Sequence, residues 1–193
     1  LAYFVAKGKI MAITGTNGKT TTTALLGEIM KRKYEKCFVV GNIGIPYTQI
    51  ALDTDENSVT VLEVSSFQLE TIIDFKPNVS AILNITPDHL NRHHTFENYS
   101  AIKKEICMNQ TAQDHCILNY DDEQLREFGD SGECKAKVVF FSVKNTLKEG
   151  VYVDNNTVYY SSPAKKVAVL SLDEVQLLGR HNHENICAAV AMA

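Results

Sequence analysis

The chain has 193 residues, a net charge of −4 and 45% hydrophobic residues, a composition that fits one domain with a full core. It contains no basic block, which argues against nucleic acid as a partner, and no apolar run of about 18 residues that would span a bilayer. Its five cysteines, Cys37, Cys107, Cys116, Cys134 and Cys187, are odd in number and form no C-x-x-C pair, so free thiols in a reducing cytoplasm are the expectation.

Leu1 to Lys7 reads as the end of a helix or a linker, and Lys9 to Thr14 as the first core strand. The strand breaks into Gly15-Thr16-Asn17-Gly18-Lys19-Thr20-Thr21 and then a helix with Leu25, Leu26, Ile29 and Met30 at helical spacing, ending on Lys31-Arg32-Lys33. Glycines without Cβ atoms let such a loop aim backbone N–H groups at phosphate oxygens, and the helix N-terminus adds its partial positive charge. Lys19 would reach the outer phosphates and Thr20 would hold Mg²⁺. The pattern departs from the general G-x-x-x-x-G-K-[ST] form, because Ile13 stands where the first glycine belongs.

Cys37 to Val40 reads as a second strand, running into the loop Gly41-Asn42-Ile43-Gly44 and a helix start at Pro46. Ser58 to Val64 is a third, delivering Glu63, Ser65 and the rest of Glu63-Val64-Ser65-Ser66-Phe67-Gln68-Leu69-Glu70. Val79 to Ile85 is a fourth, delivering Thr86-Pro87-Asp88-His89 to the same edge. The spacing predicts a helix over Phe96 to Met108 with Thr95 as its cap and Phe96, Tyr99, Ile102 and Ile106 on one face. His115 to Asn119 completes a strand-loop-helix repetition typical of an α/β fold with a mostly parallel sheet.

After Gly129 the pattern changes to short strand candidates: Val138 to Ser142, Val151 to Val153, Thr157 to Ser161 and Val167 to Leu170, with a hairpin turn at Asp154-Asn155-Asn156. This reads as a small antiparallel β section toward the C-terminus. Both ends look cut, which suggests a domain of a longer protein.

A phosphate loop needs a magnesium carboxylate, and Glu63, closing an apolar strand, is the candidate; a plain surface glutamate is the alternative. His89 lies at the next strand end, where imidazole serves as a ligand or as ordinary loop surface; His93 and His94 receive no role. Lys103 reads as a solvated helix residue unless its amine is neutral and able to form a carbamate. Asn182 and Asn185 read as helix-capping side chains or as amides for an adenine edge.

These residues, with Asn84-Ile85-Thr86-Pro87-Asp88-His89, Tyr99-Ser100-Ala101-Ile102-Lys103 and His181-Asn182-His183-Glu184-Asn185, resemble the Mur ligases of peptidoglycan synthesis. The resemblance covers nearly the whole chain, and its order and spacing are more specific than any single motif. The Ser-Ser-Phe-Gln-Leu-Glu form is similar to the members that add D-glutamate, with folylpolyglutamate synthase the runner-up and a non-catalytic ATP-binding module the alternative of another class. The resemblance implies an ATP-dependent ligase core that phosphorylates the carboxylate of UDP-N-acetylmuramoyl-L-alanine for attack by D-glutamate. It assigns the loop 15–21 and Lys19 to the phosphates, and Thr20 with Glu63 to a first Mg²⁺. His89 and a carbamoylated Lys103 go to a second Mg²⁺, Lys103 being chosen over Lys104 by its distance from Tyr99. Asn42, Ser65 and His89 go to the muramoyl substrate, and Asn182 with Asn185 to the adenine. It also implies a cytoplasmic protein with flanking UDP-binding and amino-acid-binding domains outside this chain, which alone would not turn over.

Overall fold

The computed structural model describes residues 1–175, 177 and 179–193, with Arg180 as backbone only, so Leu178 in the expected approach to the last helix lies outside the described residues. The first half runs α1 (Ala2–Val5), β1 (Lys9–Thr14), α2 (Lys19–Met30), β2 (Cys37–Gly41), α3 (Tyr47–Ile50), β3 (Val59–Glu63), α4 (Ser66–Leu69), β4 (Val79–Ile82), α5 (Leu90–His93) and α6 (Phe96–Lys104). The second runs β5 (His115–Asn119), α7 (Glu123–Asp130), β6 (Lys137–Ser142), β7 (Gly150–Asp154), β8 (Thr157–Ser162), β9 (Lys165–Ser171) and α8 (Arg180–Met192).

Period-two alternation explains why helices cover both faces of the sheet. Along β1, Met11 and Ile13 point to one side, where they join Leu26 and Met30 of α2 and Ile186 and Ala189 of α8. Ile10 and Ala12 point to the other, where they join Tyr99, Ile106 and Leu125. Among the described residues nine strands form one sheet in the order β2-β3-β1-β4-β5-β6-β7-β8-β9. The chain goes from β1 to the edge strand β2, returns to β3 between β2 and β1, then crosses to β4 on the opposite side of β1. That reversal opens a crevice beyond the carboxyl end of β1, the usual ligand position in such sheets.

Two element ends and one helix face differ most from the sequence reading. The helix predicted to Met108 leaves α geometry after Lys104 and closes with a 3-10 turn at Glu105–Cys107. The strand predicted to Ile85 ends at Ile82, because Asn84 and Thr86 turn aside to bind the loop after β1. The inward face of α2 is Thr22, Thr23, Leu26, Gly27 and Met30, whereas Ile29 is exposed, since α8 docks over the threonines and Thr22 Oγ1 donates to Asn185 Oδ1 at 3.2 Å.

The antiparallel section is present but starts later than expected. β6 pairs parallel with β5, and β7 pairs parallel with β6 through Phe141↔Val151 and Ser142↔Tyr152; only β7-β8 and β8-β9 are antiparallel. The connection 143–149 is shorter than the dozen or so residues that a parallel crossover usually needs. The Asp121 carboxylate pins it, accepting from Ser142 Oγ at 2.6 Å, Val143 N at 2.8 Å and Asn145 Nδ2 at 2.8 Å. Asn155 and Asn156 form the expected hairpin turn with φ of 45° and 59°.

Candidate functional site

Four strand ends converge on the crevice. The loop after β1 is clamped rather than free: Asn84 Oδ1 accepts from Asn17 N at 2.8 Å while Asn84 Nδ2 donates to Asn17 O at 3.1 Å. Thr16 N donates to Asn84 O at 3.0 Å, and Thr16 Oγ1 lies 3.2 Å from the Tyr99 hydroxyl. A side-chain amide matching a peptide group on both its donor and its acceptor holds the loop in one register. Gly18, with φ of 84°, caps α2, and a Cβ there would lie 2.2 Å from Asn185 Oδ1. Among the described residues no side chain caps α2, so its first-turn N–H groups are available to an anion.

Lys19 folds back over this loop, its Nζ donating to Gly15 O at 3.0 Å and Thr16 O at 2.9 Å. Burial lowers its pKa, opposed by the carboxylates of Glu63 and Asp88. Beneath it, Glu63 closes β3 with only 1% of its surface exposed. Thr20 Oγ1 donates to Glu63 Oε2 at 3.0 Å, and Asn42 Nδ2 donates to Glu63 Oε1 at 3.1 Å. Thr20 and Glu63 are therefore neighbours, and Glu63 is not a surface glutamate. Two oxygen donors of this kind, one a carboxylate, suit a hard divalent cation. Thr21, on the first turn of α2, is half-buried.

Lys103 is the largest departure from the solvated reading. It is 1% exposed, its Nζ donates to Gly15 O at 2.8 Å, and the ammonium sits 4.7 Å from the centre of the Tyr99 ring. Burial first, then repulsion from Lys19, pushes its pKa down to about 7, with Asp88 acting in the other direction. An amine in that range is partly neutral at physiological pH, the form that can react with carbon dioxide.

His89 takes a left-handed backbone with φ of 51° at the start of α5, and its half-exposed ring lies 5.1 Å from that of Phe67. Its neighbour His93, given no role from sequence, is buried at 1% exposure. His93 Nε2 lies 3.0 Å from Ser66 Oγ and Nδ1 lies 3.0 Å from Glu70 Oε1, with the ring stacked on Phe67 at 5.5 Å. Burial lowers the pKa of His93, against the pull of Glu70. Glu70 also accepts from Arg92 Nη2 at 2.7 Å, so α4 grips both sides of α5 and fixes the turn that presents His89.

Three candidates have structural partners already. Ser65 forms a capping box on α4, accepting from Gln68 N at 3.3 Å while Gln68 Oε1 accepts from Ser65 N at 2.8 Å. Asn182 and Asn185 pair through Asn185 Nδ2 to Asn182 Oδ1 at 3.0 Å, and both are buried where α8 meets α2. Sequence reasoning missed Asn84, Tyr99 as a loop contact, His93 and Asp88. For Asn84 a signal existed, a polar amide directly after an apolar strand end, whereas Asp88 is recognisable only by the two lysines it faces.

Residues 13–193 match the family described as the Mur ligase middle domain. The chain belongs to the Mur ligase family. It is 55% identical over 193 residues to a UDP-N-acetylmuramoylalanine--D-glutamate ligase of Lachnoclostridium phytofermentans, covering 100% of this chain and 42% of that one. The ligase of the same name from Lachnospira eligens is 56% identical over 192 residues, with the same coverage of 100% and 42%. The chain thus spans less than half the length of these relatives. Among solved structures it is similar to a UDP-N-acetylmuramoyl-L-alanyl-D-glutamate--2,6-diaminopimelate ligase, with a TM-score of 0.73, 26% identity, and coverage of 96% of this chain and 43% of that one. The Mur ligase resemblance is borne out, and the folylpolyglutamate alternative is not favoured. No helix among the described residues is long and apolar enough to cross a membrane.

Proposed function

We propose that this chain is the ATP-binding, carboxylate-activating core of a longer cytoplasmic ligase that joins D-glutamate to UDP-N-acetylmuramoyl-L-alanine in peptidoglycan synthesis. The observation that carries this reading is the buried Lys103 amine at the back of the phosphate loop, an expensive feature that simple nucleotide binding does not require. Identity with D-glutamate ligases over the full chain supports the choice of substrates.

Lys19 and the N–H groups of the loop 15–21 hold the β and γ phosphates of ATP, which first requires Lys19 to leave the carbonyls of Gly15 and Thr16. Thr20 and Glu63 fit a first Mg²⁺; His89 and a carbamate on Lys103 would supply nitrogen and oxygen to a second. Ions held there would offset repulsion between the triphosphate and the substrate carboxylate. A carboxylate is a poor electrophile until one oxygen carries phosphate. Transfer of the γ-phosphoryl group to the muramoyl-L-alanine carboxylate, then attack by the D-glutamate amine, expels phosphate and forms the amide.

Asn42, Ser65 and His89 lie on the loops assigned to the muramoyl substrate, with Asn42 also steadying Glu63. Asn182 and Asn185 belong to the nucleotide side, joining α8 to the loop at Gly18. Flanking domains of the longer protein are assigned the uridine diphosphate and D-glutamate. The full-length protein should form ADP and phosphate only when both UDP-N-acetylmuramoyl-L-alanine and D-glutamate are present. Equal ADP release without D-glutamate, or release driven by a folate and L-glutamate, would count against this assignment.

A further inference from the structure

Three cysteines that are far apart in sequence meet behind the active-site helix. Cys107 ends the 3-10 turn after α6, Cys116 lies on β5, and Cys134 lies in the loop between α7 and β6. Their Sγ atoms all fall within 4.8 Å of one another. Cys107 and Cys116 are buried and Cys134 is half-buried. A cavity of about 260 Å³ leads to Cys107 and Cys134 and is lined on its way by Lys104, Glu105, Phe128 and Lys135.

We propose that Cys107, Cys116 and Cys134 form a binding site for a thiophilic divalent cation of the zinc class, with the fourth position open to the cavity. Tetrahedral zinc thiolates hold sulfur at about 2.3 Å from the metal, which sets neighbouring sulfurs about 3.8 Å apart. The three thiols here need no more than about 1 Å of closure to reach that geometry, and Cys134, on a loop, can supply it. Two buried cysteines make a preformed base, while the half-buried third gives the ion a way in.

The charge balance also suits a cation. Three thiolates around one divalent ion carry one net negative charge, and the approach is lined by Lys104 and Lys135 together with Glu105 and Glu133, so it adds no net charge that would repel the ion. Hydrogen bonding with Cys107 and Cys116 lowers the Cys134 thiol, whereas Cys107, lowered by Cys116, is raised on balance by Cys134 and by burial. Binding would release the thiol protons. Cys107 lies one helical turn beyond Lys103, so an occupied site would tie the end of the active-site helix to β5 and to the loop before β6.

The test uses the reduced full-length protein, stripped of metal and titrated with Zn²⁺ or Co²⁺. We expect one more tightly bound Zn²⁺ per chain in the unsubstituted protein than in Cys134→Ser, and thiolate-to-cobalt charge-transfer bands that Cys134→Ser and Cys107→Ala lose and Cys37→Ser keeps. Affinity in Cys134→Ser should fall by at least about 10-fold. Alkylation of Cys134 in the unsubstituted protein, read by mass spectrometry, should slow by a similar factor when Zn²⁺ is added, an outcome that needs no variant to fold. Identical metal content and spectra in the unsubstituted protein and a folded Cys134→Ser variant would overturn the site. So would Cys134 labelling indifferent to Zn²⁺, or a Cys107–Cys134 disulfide as the cluster's only chemistry.

Discussion

Replacing Lys103 by methionine should stabilise the fold at pH 7 by roughly 2–4 kcal/mol while ligase turnover of the full-length protein falls by on the order of 10²-fold or more. Lys103 is buried, and burial followed by repulsion from Lys19 holds its amine near 7 instead of the ordinary 10.5. Between those values the unfolded chain binds a proton that the folded chain does not, so stability rises with pH across the window and the penalty is complete below about 7. The full difference corresponds to about 5 kcal/mol. The Lys103→Met side chain would escape it but would lose the hydrogen bond to Gly15 O and the contact with the Tyr99 ring, which lowers the expected gain. Urea unfolding of both proteins at pH 6, 8 and 10 reads the effect directly. The gap between them should narrow as pH rises toward 10.5; a gap that is constant with pH, or a destabilised variant, would show that the amine is not held near neutrality.

Glu63→Gln should leave stability unchanged or slightly higher and weaken Mg²⁺-dependent ATP binding by on the order of 10-fold or more, with turnover reduced by on the order of 10²-fold. The buried carboxylate accepts one hydrogen bond from Thr20 and one from Asn42. A glutamine keeps both contacts, its oxygen facing Asn42 and its amide nitrogen facing the Thr20 hydroxyl, which can accept as well as donate. What it removes is the negative charge. Calorimetry of a non-hydrolysable ATP analogue with and without Mg²⁺ separates the two roles: a structural carboxylate gives the same affinity in both proteins, whereas a metal ligand loses only the Mg²⁺-dependent part.

The phosphate loop and its strand were legible because local chemistry determines both: an apolar run, a glycine that must adopt a positive φ, and a lysine and threonine opening a helix. Glu63 was legible for a related reason, since a carboxylate closing a buried strand requires a partner. The burial of Lys103 was hidden. A lysine on a helix reads as solvated, and its actual environment depends on the carbonyl of Gly15, 88 residues earlier. The grip of Glu70 on Arg92 and His93 likewise arises between loops from different strand ends. The parallel pairing of β7 was hidden by a short connection whose geometry Asp121 fixes from β5's side of the sheet. The cysteine cluster has no spacing signature at all, because three separate elements contribute one thiol each.

The most direct measurement follows an oxygen atom through the reaction. Full-length protein supplied with ATP, D-glutamate and UDP-N-acetylmuramoyl-L-alanine carrying ¹⁸O in its carboxylate should release phosphate that contains one ¹⁸O per amide formed. That oxygen can reach phosphate only if the carboxylate was phosphorylated before the amine attacked. Amide formation with unlabelled phosphate would contradict a core built to activate a carboxylate.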